Sequence, residues 1–267
     1  MDRREILKKY VKQEDKLLVA KIIDKIELSQ KNNKIENTDF LDLYQAKIAQ
    51  NIIEIYNFDN YIFYGGQENT ERKILFVYPE KFAEIDKTKI YGNTIKAIRI
   101  NLPTENYGKY SHKDYLGAVI KIGIKREKVG DILVDKQGAD IIVLSEIEKY
   151  ILDNLKSLTR FSKSTIESIS IVDLKNVIVN KKEIKIIVPS LRLDSIVAEL
   201  ANTSRNKASE IISQERVFIN YENQTKNTKL VKEKDLITIR GKGRFEIKEI
   251  LGTTKKENLI VIVEKYV

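Results

Sequence analysis

Apolar and polar positions follow three different rhythms along this chain of 267 residues. Up to about residue 64 the spacing is helical: Leu17, Leu18, Ala20, Ile22, Ile23 and Ile26 share one face, and Leu43, Ala46, Ile48, Ala49, Ile52, Ile53 and Ile55 another. Asn32-Asn33 separates the two runs, Thr38 or Asp39 is placed to cap the second, and Gly65-Gly66 marks a turn. From about 71 to 188 short strand-like and helix-like pieces alternate. Ile74-Leu75-Phe76-Val77-Tyr78 predicts a strand ended by Pro79, and residues 94–102 predict another. Ser111 is placed to cap a helix reaching Ile122. Ile132-Leu133-Val134 and Ile141-Ile142-Val143-Leu144 predict a hairpin turning at Gln137-Gly138. Ser145 is placed to cap a helix to about Leu155, with Glu148 where a capping box puts its acid. Strands near 165–171 and 183–188 complete this stretch, which predicts an α+β fold with helices on one face of an antiparallel sheet.

After Pro189 the rhythm becomes helical again, then strand-like. Leu193, Ile196, Val197 and Leu200 face one way in a helix over 192–201, and Ser204 caps a second helix with Ala208, Ile211 and Ile212 inward. Val217-Phe218-Ile219, Leu236-Ile237-Thr238-Ile239 and a last strand from Leu259 to Glu264 form a small sheet. The predicted organisation is a helical region over 1–70, a mixed domain over 71–188 and a third domain over 189–267. The polar stretch 176–182 reads as a loop or a hinge. No fixed-period repeat is visible.

Composition narrows the chemistry. Cysteine is absent and His112 is the lone histidine, which excludes a disulfide framework, a thiol nucleophile and a zinc site built on Cys or His. No cofactor or metal is expected. The longest aliphatic run, Leu259-Ile260-Val261-Ile262-Val263, falls far short of the ~20 residues of a membrane span, and the charged start has no signal-peptide pattern. A cytoplasmic monomer is the expectation. The net charge of +9 favours an anionic partner, nucleic acid first. A bias toward Lys, Ile and Asn also follows from an AT-rich genome, so the placement of the cations decides.

Two places gather them. In the third domain Arg192, Arg205 and Lys207 stand near helix starts, and Arg240-Gly241-Lys242-Gly243-Arg244 sets three cations in five residues around glycines that let a phosphate approach the backbone. Such a surface reads RNA by charge and shape. In the central domain Lys113, Lys125, Arg126 and Lys128 surround a helix and the turn after it. The competing reading of the first is a solvated basic face, and of the second a structural turn with surface lysines. His112 beside Asp114 is a conceivable general base but lacks a nucleophile nearby, and Tyr107, Tyr110 and Tyr115 are candidates for base stacking or, more simply, packing.

The residues from Ser190 to Asn220, followed by Asp235-Leu-Ile-Thr-Ile-Arg-Gly-Lys-Gly-Arg244, resemble the S-four RNA-binding domain. The match rests on Arg192-Leu193-Asp194, on Ser204-Arg205 with Lys207-Ala208, on the strand from Val217 to Asn220, and on Asp235. The family has Gly just before that strand, where this chain has Arg216, so a positive φ at that turn would be strained. Upstream, Gly65-Gly66, Glu71-Arg72, His112-Lys113-Asp114-Tyr115-Leu116-Gly117 and the block from Gly123 to Ile132 resemble YlmH-type bacterial proteins. The resemblance covers nearly the whole chain. It implies a helical N-terminal part, a central domain similar to an RNA-recognition fold and a C-terminal S-four domain. It further implies a non-catalytic protein that binds ribosomal RNA on the large ribosomal subunit, with peptidyl-tRNA as a further partner, in quality control of stalled nascent chains.

Two alternatives stay open. Arg192-Leu193-Asp194 is also the start of a pseudouridine synthase motif, but there Ser or Thr and a Gly soon follow the Asp. Here Ser195-Ile196-Val197-Ala198-Glu199 continues a helix and only 73 residues remain. Asp194 is therefore expected to pair with a basic neighbour or support the helix start. The other alternative is an adaptor for cell-division proteins.

Overall fold

The computed structural model describes residues 3–68, 70–175 and 181–266. The chain forms two compact units, Met1–Val177 and Ile178–Val267.

In the first unit the helical spacing acts as predicted. Helices α1 (Arg3–Lys8), α2 (Gln13–Asn32) and α3 (Leu43–Ile55) bury Ile6, Ile22, Ile23, Ile26, Ile48, Ala49, Ile52 and Ile53 in one core. On α2 the inward residue at the edge is Val19, while Leu17 is 55% exposed. The helix stops where Asn33 takes the left-handed conformation at φ 54°. The cap of α3 lies later than expected. Asp42 accepts from the Gln45 N–H and donates its own N–H to the Gln45 side chain, a reciprocal capping box. Thr38 is used differently: its hydroxyl accepts the Leu75 N–H and donates to the Asp39 carbonyl.

That bond marks a strand layer the helical reading did not contain. β1 (Glu36–Asn37), β2 (Tyr61–Tyr64) and β3 (Ile74–Val77) form an antiparallel sheet in the order β1-β3-β2. The strand predicted at 74–78 thus pairs with the N-terminal region. It is buried on both faces: Leu75 and Val77 enter the helical core, and Ile74, Phe76 and Tyr78 enter a second core.

After α4 (Thr88–Tyr91) come β4 (Ile95–Asn101), α5 (His112–Lys121), β5 (Val129–Val134), β6 (Gly138–Leu144), α6 (Ser145–Leu155) and β7 (Thr165–Ile169). The sheet is antiparallel in the order β5-β6-β4-β7. This βαββαβ unit is the topology of the RNA-recognition and ferredoxin-like folds. The predicted β5–β6 hairpin is present. Asp135 accepts the N–H groups of Gln137 and Gly138, and a Cβ on Gly138 would lie 1.8 Å from the Ile100 carbonyl oxygen. Ser111 occupies the cap position of α5. Ser145 is instead the first residue of α6, with Leu144 at the cap; the Ser145 N–H donates to the Thr94 carbonyl, and Glu148 accepts the Ser168 hydroxyl rather than closing a capping box.

One face of this sheet carries α5 and α6 over Ile98, Ile100, Ile141 and Val143. The other carries the N-terminal layer: Ile95, Ala97, Leu133, Ile142 and Leu144 pack with Phe40, Ile74, Phe76 and Tyr78. At the border of that face a partly exposed arginine pairs with a buried aspartate. Arg99 donates to both carboxylate oxygens of Asp140 at 2.8 and 2.7 Å, and the Lys175 N–H donates to the same group.

In the second unit six antiparallel strands run in the order β10-β9-β11-β12-β13-β8: β8 (Lys181–Val188), β9 (Val217–Ile219), β10 (Glu222–Asn223), β11 (Leu236–Ile239), β12 (Gly243–Thr253) and β13 (Leu259–Tyr266). Helices α7 (Leu193–Ala201) and α8 (Arg205–Ser213) share the sheet's core. The strand expected near 183–188 closes this sheet, not the central one; it pairs with β13 from Val188↔Leu259 to Lys181↔Tyr266. Ile186 and Val188 alternate inward, which is what an edge strand of this core requires. Of the polar stretch 176–182, residues 176–180 lie outside the described residues, and Lys181 and Lys182 open β8. β12 was hidden by its charge: Phe245 and Ile247 point inward while Glu246 and Lys248 alternate with them. Among the described residues no helix is long and apolar enough to cross a membrane.

Candidate nucleic-acid interface

In the second unit the two helix starts meet at one carboxylate. Arg192 stands at the cap position of α7 and Arg205 opens α8. Arg192 reaches Asp194 with Nε and Nη2 at 3.2 and 2.8 Å, and Arg205 reaches both oxygens with Nη2 at 3.2 and 3.1 Å. Asp194 also accepts the Ser195 N–H, and its own N–H donates to the Asn227 carbonyl. Arg192, then Arg205, hold this carboxyl down at about 2, against the opposing effect of burial. Its side chain is 5% exposed, whereas Arg192 and Arg205 are 35% and 50% exposed. The carboxylate orients two guanidiniums and neutralises one charge of two. Their remaining N–H donors are free to meet a phosphate. Asp194 thus does what the helix-start reading expected of it.

Lys207 is exposed on the same helix start and pairs with Glu210 at 2.5 Å, a surface contact that a phosphate can outcompete. The basic run forms a separate group at the hairpin between β11 and β12, where Ile239 pairs with Gly243. Lys242 is exposed at its tip. Arg240 lies over Phe218 at 4.9 Å and Arg244 over Tyr266 at 4.7 Å, so both cations are held by rings. Arg216 joins this group by donating to the Arg240 carbonyl at 3.0 Å. The strain raised for Arg216 does not arise: the positive φ, 56°, falls on Glu215 one residue earlier.

The central candidates divide. Lys113 on α5 and Lys125 before the next turn are exposed. Arg126 and Lys128 are committed inside the unit. Lys128 bonds Asp39 at 2.7 Å and Glu146 at 2.6 Å. Arg126 donates to the carbonyls of Val129 and Gly130, and burial, then the neighbouring Arg72, lower its pKa to about 10. Arg72 donates to the carbonyls of Val129 and Phe40. Asp131 accepts the N–H groups of Glu71 and Arg72 at 2.7 and 3.1 Å. A Cβ on Gly130 would come within 2.8 Å of Phe40, and one on Gly65 within 2.2 Å of Thr70. Three of the motif blocks, Gly65-Gly66, Glu71-Arg72 and the end of the block from Gly123 to Ile132, therefore meet at a joint between the N-terminal layer and the central sheet, while the block from His112 to Gly117 lies on α5 over the other face. Charge pattern alone does not separate such pins from surface cations; adjacency to Gly130 and Asp131 is the signal that was available.

His112 opens α5, but the Asp114 carboxylate beside it is occupied by the Ser111 N–H and hydroxyl and by Arg160. Of the three tyrosines, Tyr115 is buried and stacked on Phe161 at 5.4 Å, with its hydroxyl pushed up to about 12 by desolvation. Tyr110 packs edge-on against both, and Tyr107 is exposed.

Residues 93–173, the span of the βαββαβ unit, match the family described as "Putative RNA-binding domain in YlmH". The chain resembles YlmH-type proteins. It is 25% identical over 259 residues to a Bacillus subtilis (strain 168) protein named ribosome-associated protein quality control protein P2, covering 96% of this chain and 97% of that one. A solved structure named cell division protein ylmH from Streptococcus pneumoniae shares the fold at a TM-score of 0.50 and 19% identity, over 62% of this chain and 98% of that one. The resemblance read from the motif blocks and the α+β class agree with the YlmH-type matches.

Proposed function

We propose that the chain is an RNA-binding protein of the ribosome that works by binding rather than catalysis. The observation that carries this reading is the Asp194-centred pair of half-exposed guanidiniums at the starts of α7 and α8. The name of the Bacillus subtilis relative and the description of the matched domain support it. The finer proposal is structured ribosomal RNA on the large subunit, with peptidyl-tRNA as neighbour, in the cytoplasm and in the handling of stalled nascent chains. Arg192, Arg205, Lys207 and Lys242 contact phosphates, and Arg240 and Arg244 flank them. An S-four domain is the proposed identity of the second unit.

Neutralising about four to six phosphates makes affinity fall on the order of 10²–10³-fold between 50 and 200 mM salt. The test is co-sedimentation with purified large subunits. The Arg205→Gln/Lys207→Gln/Lys242→Gln variant keeps Arg192 on Asp194, so the buried carboxylate retains a partner. The wild type is expected to pellet with the subunits while the variant stays in the supernatant. Equal pelleting of both, or no pelleting of the wild type with empty or peptidyl-tRNA-bearing subunits, overturns the reading.

A further inference from the structure

An RNA-recognition sheet ordinarily binds single strands on its open face, where aromatic side chains of the two central strands stack bases. In this chain that route is closed twice. β4 (Ile95–Asn101) and β6 (Gly138–Leu144) are the central strands, and neither contains an aromatic residue. Their outer face is covered by Phe40, Ile74, Phe76 and Tyr78 of the N-terminal layer, and every residue of β6 is buried. If the central domain touches RNA, the contact is elsewhere.

The opposite side offers a groove of about 420 Å³ between α5 and the turn at 158–160. Lys113, Asp114, Gly117 and Lys121 line it from the helix, and Arg160 from the turn. Residues 107–125 and 156–163 together hold seven cations and one carboxylate, Asp114. That carboxylate is already engaged by Ser111 and Arg160, which also donates to the Asp114 carbonyl at 2.7 Å. Arg160 lies over the Tyr110 ring at 5.3 Å, so it is fixed from two sides. With Arg160 spent against Asp114, Lys113 and Lys121 leave the lining net positive. Its floor is Gly117, in the middle of a helix, where glycine is disfavoured. A Cβ there would meet nothing within 4 Å, so packing inside the chain gives no reason for its absence. Positions 113, 117 and 121 share one helix face, and the two lysines stand about 12 Å apart along the axis.

We infer that this groove is a second phosphate-binding surface, which seats an RNA backbone along Lys113, Gly117 and Lys121 against Arg160 on the helix side of the central domain. The inference rests on the RNA-binding reading above and adds a site to it. Gly117 admits the strand close to the helix, and the two lysines neutralise phosphates on either side of it. None of the four residues contributes to the cluster around Asp194.

The test uses the full chain, purified large ribosomal subunits and deproteinised large-subunit RNA. Two variants target the groove: Lys113→Gln/Lys121→Gln, and Gly117→Glu, whose side chain has open space and so leaves the fold intact. The double variant is expected to reduce the slope of log affinity against log salt by about 1.4–1.8 on both probes. Gly117→Glu is expected to weaken binding at least about tenfold at low salt through like-charge repulsion. Unchanged slopes in the groove variants, with the Arg205→Gln/Lys207→Gln/Lys242→Gln variant still impaired, overturn the groove and leave the RNA-binding reading standing. Loss of binding to intact subunits with unchanged binding to bare RNA assigns the groove to a ribosomal protein and also overturns it. No binding of the wild type to either probe removes both.

Discussion

Asp131 and Asp194 each sit among two arginines, yet they are opposite devices. Asp131 is half-buried, and its oxygens accept backbone N–H groups rather than guanidinium protons. Its arginine neighbours, Arg72 and Arg126, spend their donors on backbone carbonyls. Desolvation dominates there, so the Asp131 carboxyl is raised and both guanidiniums are lowered. Asp194 is contacted directly by both of its arginines, and its carboxyl falls to about 2. The difference is where the cation's hydrogen bonds go. Turned inward to carbonyls, an arginine is a pin. Anchored on a buried carboxylate with its own head half in solvent, it keeps donors for a ligand.

The strongest way to break this comparison is Arg72→Ala. Two backbone carbonyls lose their charged donor, and a destabilisation of roughly 3 kcal/mol is expected in urea unfolding. RNA affinity of the folded fraction should stay unchanged; a selective loss of affinity would mean that Arg72 is part of the interface.

Acid titration comes next and has opposite signs at the two sites. The folded Asp194 pKa lies below its ordinary value of 3.8, so its stabilisation is present above pH 4 and disappears as pH falls toward 2. The amount is about 2 kcal/mol, and Asp194→Asn should flatten that part of the stability curve. Asp131 is raised, so ionising it costs the folded state, and Asp131→Asn should lessen a loss of stability that grows as pH rises through and above 4. Equal slopes for both variants would dissolve the contrast.

Smaller effects sharpen it. Arg205→Gln should weaken RNA binding about tenfold and lower the salt slope by roughly one, with little change in unfolding. A fall in stability as large as that of Arg72→Ala would make Arg205 a pin as well. Gly117→Ala should raise stability by about 0.5–1 kcal/mol, because the helix gains propensity and the added methyl has open space. A loss of stability would mean that the groove is filled within the fold.

Much of the candidate site around Asp194 was legible because its parts are local. Arg192, Asp194, Ser204, Arg205 and Lys207 lie within 16 residues, and helix capping fixes their positions. The central cations were not separable in the same way. Lys125, Arg126 and Lys128 are adjacent in sequence, yet two of them face Gly130, Asp39 and Glu146, partners up to 89 residues away. Lys121 and Arg160 were passed over for the complementary reason: the groove they share joins segments about 40 residues apart. β12 was missed because its outward charges resemble a basic loop until a partner strand sits on each side.

By itself the amino-acid pattern determined α2, α3 and α5 to α8, the caps at Ser111 and Ser204, the β5–β6 hairpin and the α+β class, since each depends on periodicity and on bonds within a few residues. Tertiary structure alone decided which sheet took the strands at 74–77 and 181–188, and which face of the central sheet was covered. A strand's edge accepts any partner of matching register, so its place is set by which core its apolar residues can fill. The same holds for charge. Whether an arginine is a pin or a hand for phosphate depends on the acceptors that folding brings to it, and those acceptors are distant in the chain.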